Sequence, residues 1–189
     1  MQADHTKLLS PRGAVFTVGH STLPIEHFVA LLGAYGIERL VDVRALPRSR
    51  RHPQFNADAL RESLRAANVE YQSLRELGGM RRPRADSPNG GWREEVFRGY
   101  ADYMQSPEFA QGLERLLALA REQRTAIMCA EAAPSHCHRS LVADALVVRG
   151  VPVVEILSAT EHRPHVLTSF AVVAGTTITY PAAQRSLLD

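Results

Sequence analysis

The stretch that decides the fold begins with Thr125-Ala-Ile-Met128 and ends with Pro152-Val-Val-Glu-Ile-Leu157. Both ends are short apolar runs of the kind that form buried β-strands. Between them, Leu141, Ala145 and Val148 recur at helical spacing. A strand, a helix and a second strand in this order predict a βαβ unit, in which the two strands lie parallel in one sheet.

Outward from this unit, the same alternation continues toward the N-terminus. Helical patterns separate the strands, and Ser106-Pro107 is typical of a helix start. We expect Ser21 or Thr22 to cap the first helix and Asn56 to cap the second. Further strands are predicted at 14–18, 39–43 and 69–71. The predicted fold class is therefore α/β: a three-layer sandwich, Rossmann-like or flavodoxin-like, with a mainly parallel sheet of about five strands.

Length and composition predict one domain with short terminal extensions. The chain has 189 residues, of which 45% are hydrophobic, and this suffices for one sizeable core. Residues 1–13 are expected to be a flexible lead-in, 14–170 a single α/β domain, and 171–189 a C-terminal tail. The tail is apolar and rich in threonine, and it is expected either to add an edge strand or to form an interface in a homodimer.

Neither export nor membrane insertion is expected. No apolar run approaches the roughly 18 residues that a membrane span needs, and the N-terminus lacks the apolar segment of a signal peptide. The two cysteines, Cys129 and Cys137, do not resemble a secreted disulfide framework. We therefore expect a cytoplasmic protein with no membrane partner.

Polar residues follow several of the predicted strands, at the carboxyl ends where open parallel sheets bind ligands. His20 and Ser21 follow the first strand and are candidates for binding an anion at a helix start, with simple N-capping by Ser21 as the alternative. Asp42 and Arg44 end the second strand. They are expected either to belong to the site or to form an ion pair that positions the loop.

The segment Cys129-Ala-Glu131-Ala-Ala-Pro-Ser-His136-Cys137-His138-Arg139 carries the most reactive residue types. Cys137 is predicted near a helix N-terminus beside basic residues, a setting that lowers the pKa of a thiol and favours it as a nucleophile. Cys129 ends a buried strand, where an inert packing cysteine is common. Glu131 is a candidate general acid/base, and a capping or salt-bridge role toward Arg139 is the alternative.

Neither a metal nor another cofactor is expected from this segment. Cysteine and histidine are metal-ligand types, but the spacing C-x7-C-H matches no common zinc motif. Two adjacent residues also rarely coordinate one ion together.

Two arginine-rich loops, at 44–51 and 75–93, are candidate sites for nucleic acid or a nucleotide. Of the 22 basic residues 21 are arginines, and nine of these lie in the two loops. Clustered guanidinium groups bind phosphate well, and nearby aromatic rings can stack on bases. The alternatives are a solvated surface for each loop and core packing for each ring. The aromatic candidates are Tyr71, Trp92, Tyr100 and Tyr103.

Several short motifs occur in order between about residues 14 and 158. They are Thr17-Val-Gly-His-Ser21, Leu40-Val-Asp-Val-Arg44, Pro47-Arg48-Ser49, Leu77-Gly-Gly79, Tyr100, Tyr103-Met104, Cys129-Ala-Glu131 and Cys137-His-Arg139. Together they resemble the domain of unknown function 488 family, which implies one common site but no established reaction. A weaker likeness to rhodanese-type domains rests on Asp42-Val-Arg44 and on Cys129 leading to Arg139-Ser140. The loop between Cys129 and Arg139 is longer here than in that pattern.

The leading hypothesis is an enzyme of hydrolase or transferase type that acts on a phosphate-bearing substrate, with nucleic acid or a nucleotide favoured. Its candidate catalytic residues are Glu131, Cys137 and Asp42. The first alternative is a non-catalytic nucleic-acid or nucleotide-binding module, and the second is a thiol-dependent sulfurtransferase or redox protein. The candidate substrate-binding residues are His20, Ser21, Arg44, Arg48, Ser49, Tyr71, Tyr100, Cys129, His138 and Arg139.

Overall fold

A six-stranded sheet stands at the centre of the computed structural model, which describes residues 13–182. Its strands are β1 (Val15–Gly19), β2 (Arg39–Asp42), β3 (Glu70–Ser73), β4 (Thr125–Cys129), β5 (Val153–Ile156) and β6 (His162–Pro164). Their order in the sheet is β3-β2-β4-β1-β5-β6. The first five strands in this order run parallel, and β6 lies antiparallel to β5 at one edge.

In the described part of the chain, five α-helices cover the two faces of the sheet. They are α1 (Ile25–Ala34), α2 (Ala57–Ala66), α3 (Glu95–Tyr103), α4 (Pro107–Glu122) and α5 (Arg139–Val148). Successive strand residues face opposite cores: Leu40 packs with α1 and α2, whereas Val41 packs with α3, α4 and α5. The expected three-layer α/β sandwich with a mainly parallel sheet is confirmed. None of the helices within residues 13–182 has the length and apolar character that crossing a membrane requires.

The expected sheet of about five strands has six, because a three-residue strand, β6, pairs with β5. Two local expectations are wrong. Neither Ser21 nor Thr22 caps α1, which begins after Pro24. Asn56 precedes α2, but its side-chain oxygen accepts a hydrogen bond from the Ser49 main-chain N–H (2.7 Å) and caps nothing.

The C-terminal segment forms a hairpin of its own. Strand β7 (Val172–Ala174) pairs antiparallel with β8 (Thr177–Thr179), so residues 171–182 add no strand to the main sheet. The buried Tyr180 anchors this hairpin, because its hydroxyl donates a hydrogen bond to Asp144 on α5 (2.8 Å). The lead-in predicted at 1–13 lies outside the described residues except for its last position, and the homodimer interface stays a prediction.

A buried histidine joins this hairpin to the sheet. His165, just after β6, lies 2.8 Å from an Asp144 carboxylate oxygen and 2.7 Å from a Glu155 carboxylate oxygen. Burial alone would lower the pKa of His165, but the hydrogen bonds and charges of these two carboxylates raise it to about 9. The imidazolium therefore links α5, β5 and the chain after β6 at neutral pH.

Replacement of His165 by Gln is expected to destabilise the fold by on the order of 2 kcal/mol at pH 6, because two buried carboxylates lose a cationic partner. The pKa in the folded state is raised to about 9. The stabilisation of the folded state by charged His165 is therefore fully present below the ordinary histidine pKa, and it is lost as the pH rises through 9. The difference in unfolding free energy between the two chains, measured with urea, should shrink from pH 6 to pH 10.

The control is His27→Gln on an exposed position of α1. A difference that stays constant over this pH range, or that is the same for both substitutions, would contradict the ion pairs at His165.

Candidate functional site

The carboxyl ends of β1, β2 and β4 meet at one edge of the sheet, because β4 lies between the other two strands. Gly19 pairs with Cys129, and Asp42 pairs with Met128. Gly19 is needed here, since a Cβ at this position would overlap the carbonyl oxygen of Glu131. The loop after β4 can therefore lie directly against the end of β1.

Arg139, the first residue of α5, holds that loop in place. Its side chain is fully buried and donates hydrogen bonds to the carbonyl oxygens of Glu131 and Ala132, the second at 2.7 Å. The sequence favoured Arg139 as a ligand for a substrate anion or as a partner of the Glu131 carboxylate. In the structure, both terminal nitrogens of its guanidinium bind main chain, so Arg139 shapes the loop between the two cysteines.

Three reactive atoms converge where this loop ends. We call Cys129, Cys137 and His138 the thiol–imidazole cluster. The Nδ1 atom of His138 lies 3.9 Å from the Cys129 sulfur and 3.8 Å from the Cys137 sulfur. All three atoms lie within 4.8 Å of one another, and each is a type of atom that binds metal ions. The structure thus brings the two ends of this loop together.

A hydrogen bond at Nε2 orients the His138 ring. Nε2 lies 3.0 Å from the carbonyl oxygen of Val43. A carbonyl only accepts, so Nε2 carries the proton and donates it. In the neutral ring, Nδ1 then bears the lone pair, and this lone pair faces both sulfur atoms.

Two neighbours fix the position of that ring. Tyr100 is fully buried and packs against His138 with ring centroids 4.9 Å apart, while its hydroxyl donates to the Leu77 carbonyl oxygen (2.7 Å). Gly79 also lies close to the ring, where a Cβ would come within 2.8 Å of Nδ1. Tyr100 supports the cluster from within the core, so its predicted contact with substrate is corrected.

The two thiols share their protons unequally. A hydrogen bond from Cys129 lowers the pKa of Cys137 to about 4, with further help from His138 and Arg139, although burial acts in the opposite direction. The same bond, together with burial, raises the pKa of the Cys129 thiol far above its ordinary value. Both shifts favour the thiolate form of Cys137 over that of Cys129.

A pocket of about 350 Å³ opens onto the cluster, and both cysteines line it. Its mouth is apolar: Leu46 is 68% exposed, Met80 72% and Val96 57%. The Glu131 residue is exposed and also lines this pocket. A small, largely apolar ligand can therefore reach two sulfur atoms that are themselves almost buried.

Asp42 and Arg44 form a second, buried network beside the pocket. Two nitrogens of the Arg44 guanidinium bind the two Asp42 oxygens (2.9 and 2.6 Å), and Arg44 also donates to the Phe55 carbonyl oxygen (2.8 Å). The Tyr71 hydroxyl donates to Asp42 (2.8 Å), and burial together with this carboxylate raises its pKa. The Asp42 carboxylate is thus tied to protein groups, as the ion-pair alternative predicted.

His20 packs against the same network. Its ring stacks on Phe55 with centroids 4.1 Å apart, and its Nε2 accepts a hydrogen bond from Arg44 (3.4 Å). Burial lowers the pKa of His20 to about 4, so the ring is neutral at pH 7. Ser21 lies before the start of α1, with a left-handed backbone (φ 48°). The main-chain N–H groups of His20 and Ser21 donate to the carbonyl oxygens of Cys129 and Ala130 (3.0 and 2.8 Å), so these two donors are not free to bind an anion.

The arginines of the two arginine-rich loops contribute little to this pocket. Of their arginines only Arg44 lines it, whereas Arg48 and Arg75 line a separate depression. The Ser49 hydroxyl accepts a hydrogen bond from the His52 main-chain N–H (3.0 Å) and supports the turn. In the second loop, Asp102 accepts hydrogen bonds from the main-chain N–H of Arg84 and from two side chains, which holds the segment in place.

Sequence reasoning missed the residues that shape the site. Leu77-Gly-Gly79 stands out as a motif, but nothing local shows that its last glycine makes room for His138. The stacking partner Phe55 and the acceptor carbonyl of Val43 carry no signal in one sequence, because both act through contacts between distant elements.

Residues 24–146 match the model of a protein family described as Domain of unknown function DUF488. The chain belongs to this family. No curated protein and no solved structure matches it. The DUF488 match includes the whole thiol–imidazole cluster, Arg139 and the Asp42–Arg44 pair, whereas His20 and Ser21 precede it. The likeness to rhodanese-type domains stays a prediction.

Gly79→Ala is expected to displace the His138 ring, because the added Cβ would lie 2.8 Å from Nδ1. Cys137 would then lose the contact with His138 that helps to lower its pKa, and its alkylation by iodoacetamide at pH 7 should slow about tenfold. The measurement uses reduced protein from which metal ions have been removed.

Gly33→Ala in α1 is the matched control, since a Cβ there meets no atom within 4 Å. If both alanine variants react at the wild-type rate, His138 does not influence the thiols.

Proposed function

We propose that this protein is a thiol-dependent enzyme of the sulfur-transfer or disulfide-redox type. The observation that carries the proposal is the convergence of two cysteine sulfurs and one imidazole lone pair at the inner wall of an accessible pocket. Dithiol chemistry requires a nucleophilic thiol, a second thiol that resolves the intermediate and a base that takes the second proton. Cys137, Cys129 and His138 are suited to these three roles in that order.

The first step is a displacement at sulfur. The Cys137 thiolate attacks one sulfur of a substrate disulfide, a new sulfur–sulfur bond forms, and the substrate bond breaks. The leaving sulfur departs with the electron pair and takes a proton from solvent. Attack on a terminal sulfane sulfur would leave Cys137 as a persulfide by the same displacement.

The second step resolves this intermediate. The Cys129 thiol gives its proton to Nδ1 of His138, and its sulfur attacks the Cys137 sulfur. The second substrate thiolate leaves and takes that proton. One substrate disulfide and two protein thiols thus become two substrate thiols and a Cys129–Cys137 disulfide, which an external dithiol must reduce before the next turnover.

The surrounding residues act in support. Arg139 fixes the loop between the two cysteines. Arg44 lines one wall of the pocket, and the buried Asp42 holds its guanidinium in position. Glu131, at the pocket mouth, is the candidate for exchanging protons between substrate and solvent.

Mild oxidation of the metal-free protein with diamide is expected to form an intramolecular Cys129–Cys137 disulfide. Intact-mass analysis should show the loss of two hydrogens, and peptide mapping should link the two cysteines. Neither Cys129→Ser nor Cys137→Ser should form this link.

Cys137→Ser should also reduce the rate of exchange with small disulfides by at least about 100-fold, since a hydroxyl does not replace a thiolate nucleophile. His136→Asn, which changes an exposed residue of the same pocket, is the control. A folded wild type that resists cross-linking, or a Cys137→Ser variant with full exchange activity, rules out the thiol function.

A second candidate is the binding of nucleic acid or a nucleotide next to β3. Arg48, Arg61 and Arg75 line a depression of about 780 Å³, and the buried Ser73 hydroxyl in its wall has no hydrogen-bond partner among the described residues. Three guanidinium groups around one depression favour a ligand with phosphate groups. This candidate keeps the phosphate hypothesis but moves it away from the thiol–imidazole cluster.

Double substitution Arg48→Gln and Arg75→Gln is expected to weaken binding of a labelled single-stranded oligonucleotide. The slope of log affinity against log salt should fall by about 0.7 for each phosphate group that the variant no longer neutralises. Arg65→Gln, on an exposed position of α2 outside this depression, is the control. Equal affinity and slope in all three proteins would exclude this surface as a phosphate site.

A further inference from the structure

We propose that Cys129, Cys137 and His138 form a binding site for a soft divalent metal ion of the zinc type, with a fourth coordination position open to the pocket. This inference goes beyond the proposed thiol function. It needs only the positions of three ligand atoms, so it stands or falls separately from any thiol reaction.

The distances between the ligand atoms carry the inference. Bonds of about 2.3 Å to sulfur and about 2.0–2.1 Å to nitrogen place tetrahedral ligands about 3.6 Å apart for a sulfur–nitrogen pair. The Nδ1 atom of His138 lies 3.8 and 3.9 Å from the two sulfurs. Both sulfur–nitrogen distances are therefore within about 0.3 Å of this value, and the two sulfurs lie within 4.8 Å of each other, against about 3.8 Å on a tetrahedral ion.

The hydrogen bond of His138 to the main chain is a second, independent observation. Histidines that bind metals usually donate their other N–H to a carbonyl or carboxylate, which fixes the ring and directs the lone pair at the ion. Nε2 of His138 does this to the Val43 carbonyl oxygen at 3.0 Å. Gly79 leaves space for Nδ1, which a Cβ at this position would approach to 2.8 Å.

The backbone explains how two adjacent residues face one point. Cys137 is extended (φ −136°, ψ 139°) and follows a single 3₁₀ turn, whereas His138 has helical angles (φ −56°, ψ −18°) at the start of α5. The change of conformation between them directs both side chains toward Cys129. The spacing C-x7-C-H excluded zinc on the sequence alone because that reasoning assumes one regular element.

Charge and solvent access also suit a zinc-type ion. Two thiolates would neutralise a divalent cation, and the nearby Arg44 charge is already balanced by Asp42. Cysteine and histidine ligands select soft or borderline ions over Mg²⁺ and Ca²⁺. Three protein ligands with the fourth position facing a pocket of about 350 Å³ is the arrangement of catalytic rather than structural zinc.

A bound ion would occupy both sulfurs, so metal binding and thiol chemistry exclude one another in a single molecule. The reduced cluster binds the ion, and formation of the Cys129–Cys137 disulfide would release it. Metal occupancy therefore protects the thiols from oxidation.

The test is a titration of the full chain, reduced and freed of metal, with Co²⁺. We expect one ion per chain, a sulfur-to-cobalt charge-transfer band and the intense visible bands of four-coordinate cobalt. Zn²⁺ should displace the cobalt. His138→Asn should weaken binding by at least about 100-fold, more than removal of a supporting hydrogen bond would, while His136→Asn in the same pocket should leave it unchanged.

Only weak six-coordinate cobalt bands, or equal effects in the two histidine variants, would overturn the metal site. Thermal unfolding of each variant checks that it is folded, and Cys129→Ser offers a second ligand deletion. The diamide reaction of the metal-free protein separates the two proposals. Cross-linking without tetrahedral cobalt would support the thiol function and contradict the metal site. Tetrahedral cobalt without cross-linking would support the metal site and contradict the thiol function.

Discussion

The clamp formed by Arg139 is the interaction on which the site depends. A buried guanidinium costs several kcal/mol to desolvate unless strong acceptors surround it, and here the carbonyl oxygens of Glu131 and Ala132 supply them. The loop that provides these acceptors lies against Gly19, where no side chain intervenes. One residue thus joins the start of α5 to the end of β4, and this fixes the separation of the two cysteines.

Two further buried charged clusters are also held by hydrogen bonds within the protein. The Asp42 carboxylate takes a bidentate Arg44 and the Tyr71 hydroxyl, and His165 lies between Asp144 and Glu155. Groups with complete hydrogen bonding have little left to offer a ligand. The thiol–imidazole cluster differs, because its sulfur atoms and a nitrogen lone pair face one another and line a pocket. Reactivity is therefore expected there and not at the ion pairs.

The sequence predicted what depends on local pattern and missed what depends on distant contacts. Apolar runs and helical spacing placed five strands and the layers, and the parallel sheet then located the site at the ends of β1, β2 and β4. β6 and the strands of the C-terminal hairpin were not predicted, because strands of three residues are too short to show a periodic pattern. The roles of Arg139 and Arg44 were open for another reason: a guanidinium can bind a substrate anion, a protein carboxylate or main-chain carbonyls. Only tertiary structure decides which acceptor is within reach.

The Nδ1 lone pair of His138 supports both the thiol chemistry and the metal binding proposed for the thiol–imidazole cluster. A lone pair on Nδ1 aimed at two sulfurs can accept a thiol proton or donate to a metal ion, and the bond from Nε2 to the Val43 carbonyl prepares it for either task. The surroundings do not favour one over the other, since low polarity strengthens thiolate hydrogen bonds and metal–thiolate bonds alike. What separates the two is the redox state of the sulfurs, because a disulfide no longer supplies two thiolate ligands. The chemistry of this site is thus set by the oxidation state of the cluster as much as by its geometry.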